Sequence, residues 1–300
     1  MSWVNNAGIY IVMLLVPLFW GGAFGVTKHV LTELPPMTTS AVRFGLAGLI
    51  LLSWAVVKGG WNGRAVRQNW WGLTALGVTG VFCFNLFFAV GLQYTSAINA
   101  ALVVVVNPVG TALIACLLMG EAWNRRLMTG VLLSLAGVMT VISKGDFAAA
   151  VGLQINYGEI LMLGAVVSWI AYTIIGKLVM RGMGVVLVTT VSTLIGAALL
   201  AISAIPEGAW PRLTQLSGQA MAELAYLAVF PTVLAFLLYN LGIRRIGASR
   251  ASAYINLMPV NAVLIAAAVY GETVTMMHLS GMVLVIGGVL LTTTSGTSKR

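Results

Sequence analysis

The sequence predicts an all-α integral membrane protein: ten transmembrane helices arranged as two inverted-topology five-helix repeats, residues 1–150 and 151–300. Three observations predict it. Of the 300 residues 60% are hydrophobic, only 8% are charged, and the mean hydropathy is +1.00. A soluble domain carries about 25% charged residues, so this chain cannot wet a globular surface and its solvent is lipid. Apolar runs of about 20 residues, the helix length that crosses ~30 Å of hydrocarbon, recur along the whole chain. Finally, the second half repeats the first.

Gly, Pro and charge punctuation divides the chain into spans at 9–31, 38–57, 70–92, 97–118, 126–143, 157–180, 185–205, 220–242, 249–269 and 275–294. The runs are too long, and alternate too little, to be membrane strands. Span one has no positive charge before it and stays apolar past any cleavage point, which argues against a removable leader; it carries Pro17 and Trp20. Span two holds Arg43, a charge within a span. Span three carries Asn85, and span four carries Asn107 and Pro108 before closing on Gly120-Glu121 ahead of span five. Span six opens on Glu159 and carries Trp169 and Tyr172, one turn apart and so on one face. Span seven is uncharged; span eight carries Pro231 and Tyr239. Span nine carries Tyr254, Asn256, Pro259 and Asn261 and closes on Gly271-Glu272 ahead of span ten. The longest connections, 58–69 and 205–219, are too short for a soluble domain.

Shifted by 151, residues 91–138 fall on 242–289 without a gap, and fourteen of those 48 positions are identical. Unrelated stretches of this composition would share about four or five. At a shift of 149, Trp20 falls on Trp169 and Lys28 on Lys177. Five spans per repeat is an odd number, so the second copy enters the membrane from the other side. Such halves are related by a pseudo-two-fold axis in the membrane plane, a symmetry that suits alternating access. Duplication that merely enlarges a membrane protein is the competing reading. With the N-terminus inside, twelve Lys and Arg residues fall on the cytoplasmic side and three (Lys28, Lys144, Arg212) on the other. That bias places both termini in the cytoplasm.

The pattern P-x(11)-G-E-x(8)-G-x(6)-G occurs twice, as Pro108, Gly120, Glu121, Gly130, Gly137 and as Pro259, Gly271, Glu272, Gly281, Gly288. With Trp20-Gly21-Gly22-x-Phe24 and Arg43-Phe44, it resembles the EamA-type transporters of the drug/metabolite transporter superfamily, over nearly the whole chain. Among members it looks most like bacterial inner-membrane exporters of amino acids, including aromatic ones. The resemblance implies an inner-membrane secondary transporter that exports small metabolites by alternating access.

The residues supply candidates for that task. A mid-span proline removes a helical hydrogen bond and kinks the helix, so Pro17, Pro108, Pro231 and Pro259 are expected kinks or gates, with ordinary kinked packing as the alternative. Gly120-Glu121 and Gly271-Glu272 read as structural turns, the glycine closing one helix and the glutamate satisfying amides at the start of the next. Polar groups at mid-depth are expensive and face the bundle interior. Asn85, Asn107 and Asn256 are therefore candidate substrate contacts, or interhelical hydrogen bonds. Trp20, Trp169, Tyr172, Tyr239 and Tyr254 are candidate pocket aromatics, with packing or interfacial anchoring as the alternative. Trp20, Trp169 and Tyr172 are expected to share a cavity with Asn107 and Asn256.

Absences narrow the function. Asp146 is the sole aspartate, and His29 and His278 lie at span ends, so neither an aspartyl dyad nor a Ser/His hydrolase is expected. No segment has metal-ligand spacing, no cofactor is expected, and the chain is not read as an enzyme. The net charge of +9 is scattered, with no basic stripe for nucleic acid. Cys83 and Cys116 lie in apolar runs and read as buried hydrophobes. No carboxylate lies at mid-membrane, so proton-for-cation exchange is disfavoured and obligatory proton exchange is not expected. Glu159 is the weak point, expected close to bulk water. The partners expected are small-molecule substrates, amino acids first, and the lipid bilayer, with the protein acting as a monomer. A nucleotide-sugar or phosphorylated-metabolite exchanger, drawing on Arg43, Lys28 and Lys177, and a non-transporting membrane interaction protein stay open.

Overall fold

A computed structural model describes residues 8–91, 93–95, 103–104, 106–121, 125–143, 157–270 and 274–294. Every regular element among them is helical. The first half contains α1 (Gly8–Val12), α2 (Leu15–Val30), α3 (Pro36–Val57), α4 (Gly63–Gln68), α5 (Trp70–Gly91), α6 (Asn107–Met119) and α7 (Arg125–Ser143). The second contains α8 (Tyr157–Val179), α9 (Val185–Ser203), α10 (Gly218–Ile246), α11 (Ala248–Ala253), α12 (Met258–Tyr270) and α13 (Met276–Thr294).

Among the described residues eight helical stretches are long and apolar enough to cross a bilayer, where the sequence predicts ten. The expected fourth and ninth spans account for the difference. The described part of the fourth ends in α6, 13 residues long. The ninth breaks into α11, a 3-10 turn at Tyr254–Leu257, and the 13-residue α12. At about 1.5 Å per residue, 13 residues cover only ~20 Å.

Proline explains where these breaks fall. Pro108 and Pro259 are each the second residue of their helix, α6 and α12. The ring clashes with a preceding helical turn, but the missing N–H costs nothing in a first turn. The regular α-helix therefore begins afresh at each proline, at the points where mid-span kinks are expected. Pro17 behaves likewise as the third residue of α2, after a turn at Met13–Leu14 divides the first span. Pro231 lies inside α10, within a π-helical stretch Ala228–Leu234 whose widened turn accommodates the ring.

The repeat extends to the elements themselves. A shift of 151 carries α6 onto α12 and α7 onto α13, end to end. It also carries a π-helical stretch in α5, Gly77–Cys83, onto Ala228–Leu234. Each π stretch packs against a helix of the other half: Gly77–Cys83 against α9 and Ala228–Leu234 against α3.

The motif glycines show why they repeat. A Cβ on Gly130 would lie 2.7 Å from Gly288 O, and one on Gly137 would lie 2.7 Å from Gly281 O. Reciprocally, a Cβ on Gly288 would lie 2.6 Å from Gly130 O, and one on Gly281 would lie 2.8 Å from Gly137 O. As numbering rises along α7 it falls along α13, so the two helices run antiparallel with their backbones in contact. In lipid, close packing of small residues is the main attraction between helices.

Glutamates fasten the halves at both ends of the bundle. Where α2 and α9 finish, the Glu207 carboxylate accepts hydrogen bonds from the first-turn amides of α3, Met37 N at 2.9 Å and Thr38 N at 2.7 Å. Nearby, Glu33 accepts from Ser217 N and Oγ, at 2.9 and 2.6 Å, and Ser217 caps α10. At the other end, where α8 and α10 finish, Gly120 ends α6 with φ +64°, the left-handed turn expected of it. Glu121 then reaches across to α11, accepting from Ala248 N at 2.7 Å, Ser249 N at 3.2 Å and Lys177 Nζ. The helix it caps lies in the other half, not next in sequence. Gly271 and Glu272 lie outside the described residues.

Candidate functional site: an aromatic cluster between the halves

Trp20 on α2 and Trp169 on α8 meet edge to face, ring centroids 5.2 Å apart and planes at 83°. Offset and edge-on pairs are the favoured aromatic geometry. Tyr239 lies 5.3 Å from Trp20 and 5.6 Å from Trp169. Phe236, one helical turn away on α10, lies 5.9 and 5.6 Å from the same two rings. Tyr172 joins Trp169 at 5.2 Å from its own helix, and Phe84 of α5 approaches at 5.0 Å. The rings are closed on one another: Trp169 is 5% exposed, Tyr172 1% and Tyr239 0%.

Polar groups are threaded through this apolar cluster. Asn240 Nδ2 donates to the Tyr172 hydroxyl at 2.7 Å and to Thr189 Oγ1 at 2.9 Å. The Tyr239 hydroxyl pairs with Thr173 Oγ1 at 3.0 Å. Trp169 Nε1 and Asn240 Oδ1 are buried without a hydrogen-bond partner among the described residues. A buried unsatisfied group costs about 1–3 kcal/mol, so the cluster retains hydrogen-bonding capacity that packing alone does not use.

The π stretch of α10 forms one wall. A π turn leaves carbonyls unmatched within its helix, and Trp20 Nε1 donates to Pro231 O at 2.9 Å. The next residue, Thr232, is fully buried and accepts from Arg43 Nε at 2.7 Å. Thr232 Oγ1 in turn donates to Leu227 O at 2.8 Å. Two consecutive residues of one π turn therefore tether an indole and a guanidinium from two helices of the first half.

The structure brings Trp20, Trp169, Tyr172 and Tyr239 together, but not the three asparagines with them. Asn85 donates to Val81 O on its own helix at 2.6 Å. Asn107, 2% exposed, accepts from Thr111 Oγ1 one turn along α6 at 3.2 Å. Asn256, 1% exposed, donates to Ser134 Oγ of α7 at 2.8 Å and leaves its Oδ1 unpartnered among the described residues. Tyr254 is buried and donates to Tyr10 O at 3.0 Å, tying the 3-10 turn to α1.

One expectation needs correction, and one residue needs adding. Glu159 is not close to bulk water: it is 2% exposed and accepts from Thr95 Oγ1 at 3.0 Å. Asn240 belongs to the cluster although the sequence reading passes over it. The helix α10 runs on to Ile246, past the expected end of span eight at 242, and holds Asn240 well inside. Its signal is one of spacing, since Phe236 and Asn240 are one turn apart and Tyr239 adjoins the second. A recess of about 850 Å³ lies elsewhere, at the bundle end that carries Arg244 and Arg245, and loop residues 59–62 and 182–184 line much of it.

Comparison with known proteins supplies relatives of the whole chain. The model of the EamA-like transporter family matches twice, over residues 7–143 and 156–294. An uncharacterized transporter of Bacillus subtilis, YyaM, is 32% identical over 287 residues, covering 96% of this chain and 94% of that protein. An uncharacterized transporter of Archaeoglobus fulgidus is 28% identical, covering 96% and 98%. A solved crystal structure shares the fold with a TM-score of 0.79 at 20% identity, covering 96% of each chain.

Proposed function

The chain belongs to the EamA-like transporter family, and from that premise we propose that it exports small metabolites by alternating access, aromatic and other neutral amino acids first. The observation that carries this reading is the meeting of Trp20 and Trp169, repeat-related residues from opposite halves, inside a polar-threaded aromatic cluster. A binding site on a pseudo-two-fold axis is built from equivalent residues of both halves. The antiparallel contact of α7 with α13 supports inverted repeats of five spans each, with α6 and α12 serving in the fourth and ninth places.

Alternating access also gives the glutamate contacts a use. The Glu121–Lys177 pair joins the first half to the second at one end of the bundle, and opening that end breaks it. Exchanging the halves maps Glu121 onto Glu272 and Lys177 onto Lys28. In this proposal the protein resides in the inner membrane with both termini cytoplasmic, and acts as a monomer.

The test is flux in proteoliposomes against a panel of amino acids, with and without a pH gradient, for the wild type and for Trp20→Ala and Trp169→Ala. The expected result is exchange of aromatic amino acids that each substitution weakens at least tenfold. Transport of amino acids that ignores both substitutions would remove the cluster from the substrate path. No flux of any amino acid would overturn the cargo assignment.

A further inference from the structure

Arg43 is the eighth residue of the 22-residue α3, about 10 Å along the helix from its Pro36 end. Every other described cation on a long helix lies within its first or last turn or so: Lys28, Arg125 and Arg126, Lys177, Arg244 and Arg245. A charge at that depth is expensive and is held there by a partner or a task. Its structural partner is a neutral one. Of the five N–H donors of a guanidinium, Nε–H is spent on the buried Thr232 hydroxyl. Among the described residues neither Nη1 nor Nη2 has a hydrogen-bond partner, and no carboxylate forms an ion pair with Arg43.

The surroundings say what the free end addresses. The guanidinium carbon lies 5.1 Å from the Phe44 ring centre, and Phe44 meets Phe236 edge-on at 5.8 Å. Phe236 in turn touches both Trp20 and Trp169. Trp20 and Arg43 are fixed to consecutive residues, Pro231 and Thr232, of the same π turn. Arg43 is thus linked to the aromatic cluster through Phe44 and Phe236, and as a residue it is half-buried. The repeat-related position, 149 residues on, is Ser192. The second half therefore lacks this charge, and the pseudo-symmetric site has one cationic end.

We propose that Arg43 binds the carboxylate of the transported molecule through Nη1 and Nη2, while the Trp20–Trp169–Tyr239 cluster takes its apolar part. The proposal rests on the transport reading above and narrows it to cargo that bears a carboxylate. Two parallel N–H donors match the two oxygens of a carboxylate. One positive charge balances one negative charge, whereas a phosphate monoester at neutral pH brings nearly two. With Nε already tethered, the fork is held at a fixed angle, so little side-chain freedom is lost on binding.

The experiment measures uptake into proteoliposomes, and thermal shift in detergent, with four probes: tryptophan, tryptophanamide, phenylpyruvate and glucose 6-phosphate. The proteins are the wild type, Arg43→Gln, Arg43→Lys and Thr232→Val. The wild type is expected to favour tryptophan over tryptophanamide by about tenfold or more, the worth of a charge-assisted hydrogen bond pair. Arg43→Gln abolishes that preference. Arg43→Lys keeps the charge but loses the fork, and retains only part of the preference. Thr232→Val loosens the tether and lowers affinity for acids while the preference for acid over amide persists. Should Arg43→Gln fail to fold, the Lys variant decides: an unchanged preference there overturns the proposal.

Equal handling of acid and amide by the wild type also overturns it while leaving amino-acid transport standing. Movement of phenylpyruvate but not tryptophan, dependent on Arg43, would sink the amino-acid reading and support this one. Recognition of glucose 6-phosphate alone, or of no carboxylate, would sink this one.

Discussion

Replacing Glu121 by Gln tests the contact that joins the halves at the α8–α10 end. The carboxylate accepts from Lys177 Nζ and from two amides of α11, and the side chains of Glu121 and Lys177 are 14% and 20% exposed. Breaking a fully buried pair costs about 3–5 kcal/mol, and an exposed pair contributes about 0.2–1 kcal/mol. Removing the charge here should therefore cost about 2 kcal/mol, since the Gln oxygen still accepts from one amide. At roughly 2–4 °C per kcal/mol for a chain of this size, the loss is about 4–8 °C in Tm.

The effect depends on pH in a defined direction. Burial raises the Glu121 pKa, but hydrogen bonds from Lys177 and Ser249, the Lys177 charge and the Ala248 amide outweigh it and hold the group below its ordinary 4.5. A carboxylate depressed in the folded state stabilises fully above its unfolded pKa, and that stabilisation is lost as pH falls through the folded value. The gap between wild type and Glu121→Gln should be complete at pH 7 and shrink below pH 4.5. Tm of purified protein in detergent measures it, with Lys177→Met and the double variant closing a thermodynamic cycle. The coupling should be about 1–2 kcal/mol. Additive single effects, or a gap that persists undiminished well below pH 4.5, would show that the pair contributes nothing to stability.

Gly288→Ala should abolish or severely reduce folded yield, because its Cβ would lie 2.4 Å from Ser134 N and 2.6 Å from Gly130 O, backbone that cannot yield. Gly287→Ala, whose nearest neighbour would be Leu133 Cδ2 at 3.9 Å, should be neutral or gain a few tenths of a kcal/mol in helix propensity. Equal expression of the two in a fluorescence gel-filtration assay would contradict the close crossing. Reporter fusions at residue 300 and within 144–156 should report opposite sides of the membrane, with residue 300 inside; matching signals would defeat the odd-span repeat. Counterflow in sealed proteoliposomes at equal internal and external pH should proceed without a pH gradient, and Glu159→Gln should leave it running. Flux that needs an imposed gradient and vanishes in that variant would make the buried Glu159 the coupling site.

Composition alone settled the solvent: 8% charged residues cannot cover a globule of 300 residues, and no tertiary arrangement alters that count. The repeat was equally legible, because identity at a fixed shift is a property of the linear chain, and the spacing of Gly130 and Gly137 reappears at Gly281 and Gly288. What those glycines touch was not. That Gly130 meets Gly288 and Gly137 meets Gly281, in antiparallel register, follows from how two distant helices dock. Proline positions were visible, but whether each would bend a helix or begin one depended on the neighbouring packing. Pro231 stays inside a π turn, whereas Pro108 and Pro259 open new helices.

Side-chain partners lay furthest from the sequence. Trp20 and Trp169 could be paired by their shift of 149, and the structure places their rings 5.2 Å apart. Glu121 looked like the cap of the helix that follows it, and caps one 127 residues away instead. Asn240 went unremarked in the sequence and lies well inside α10, and Arg43 was visible as a charge within a span, but not that Thr232 holds its Nε. Apolar periodicity dictates which segments enter the membrane because each helix satisfies its own backbone there. It says little about which polar side chains meet, since in lipid those few pairings depend on helices brought together from both halves of the chain.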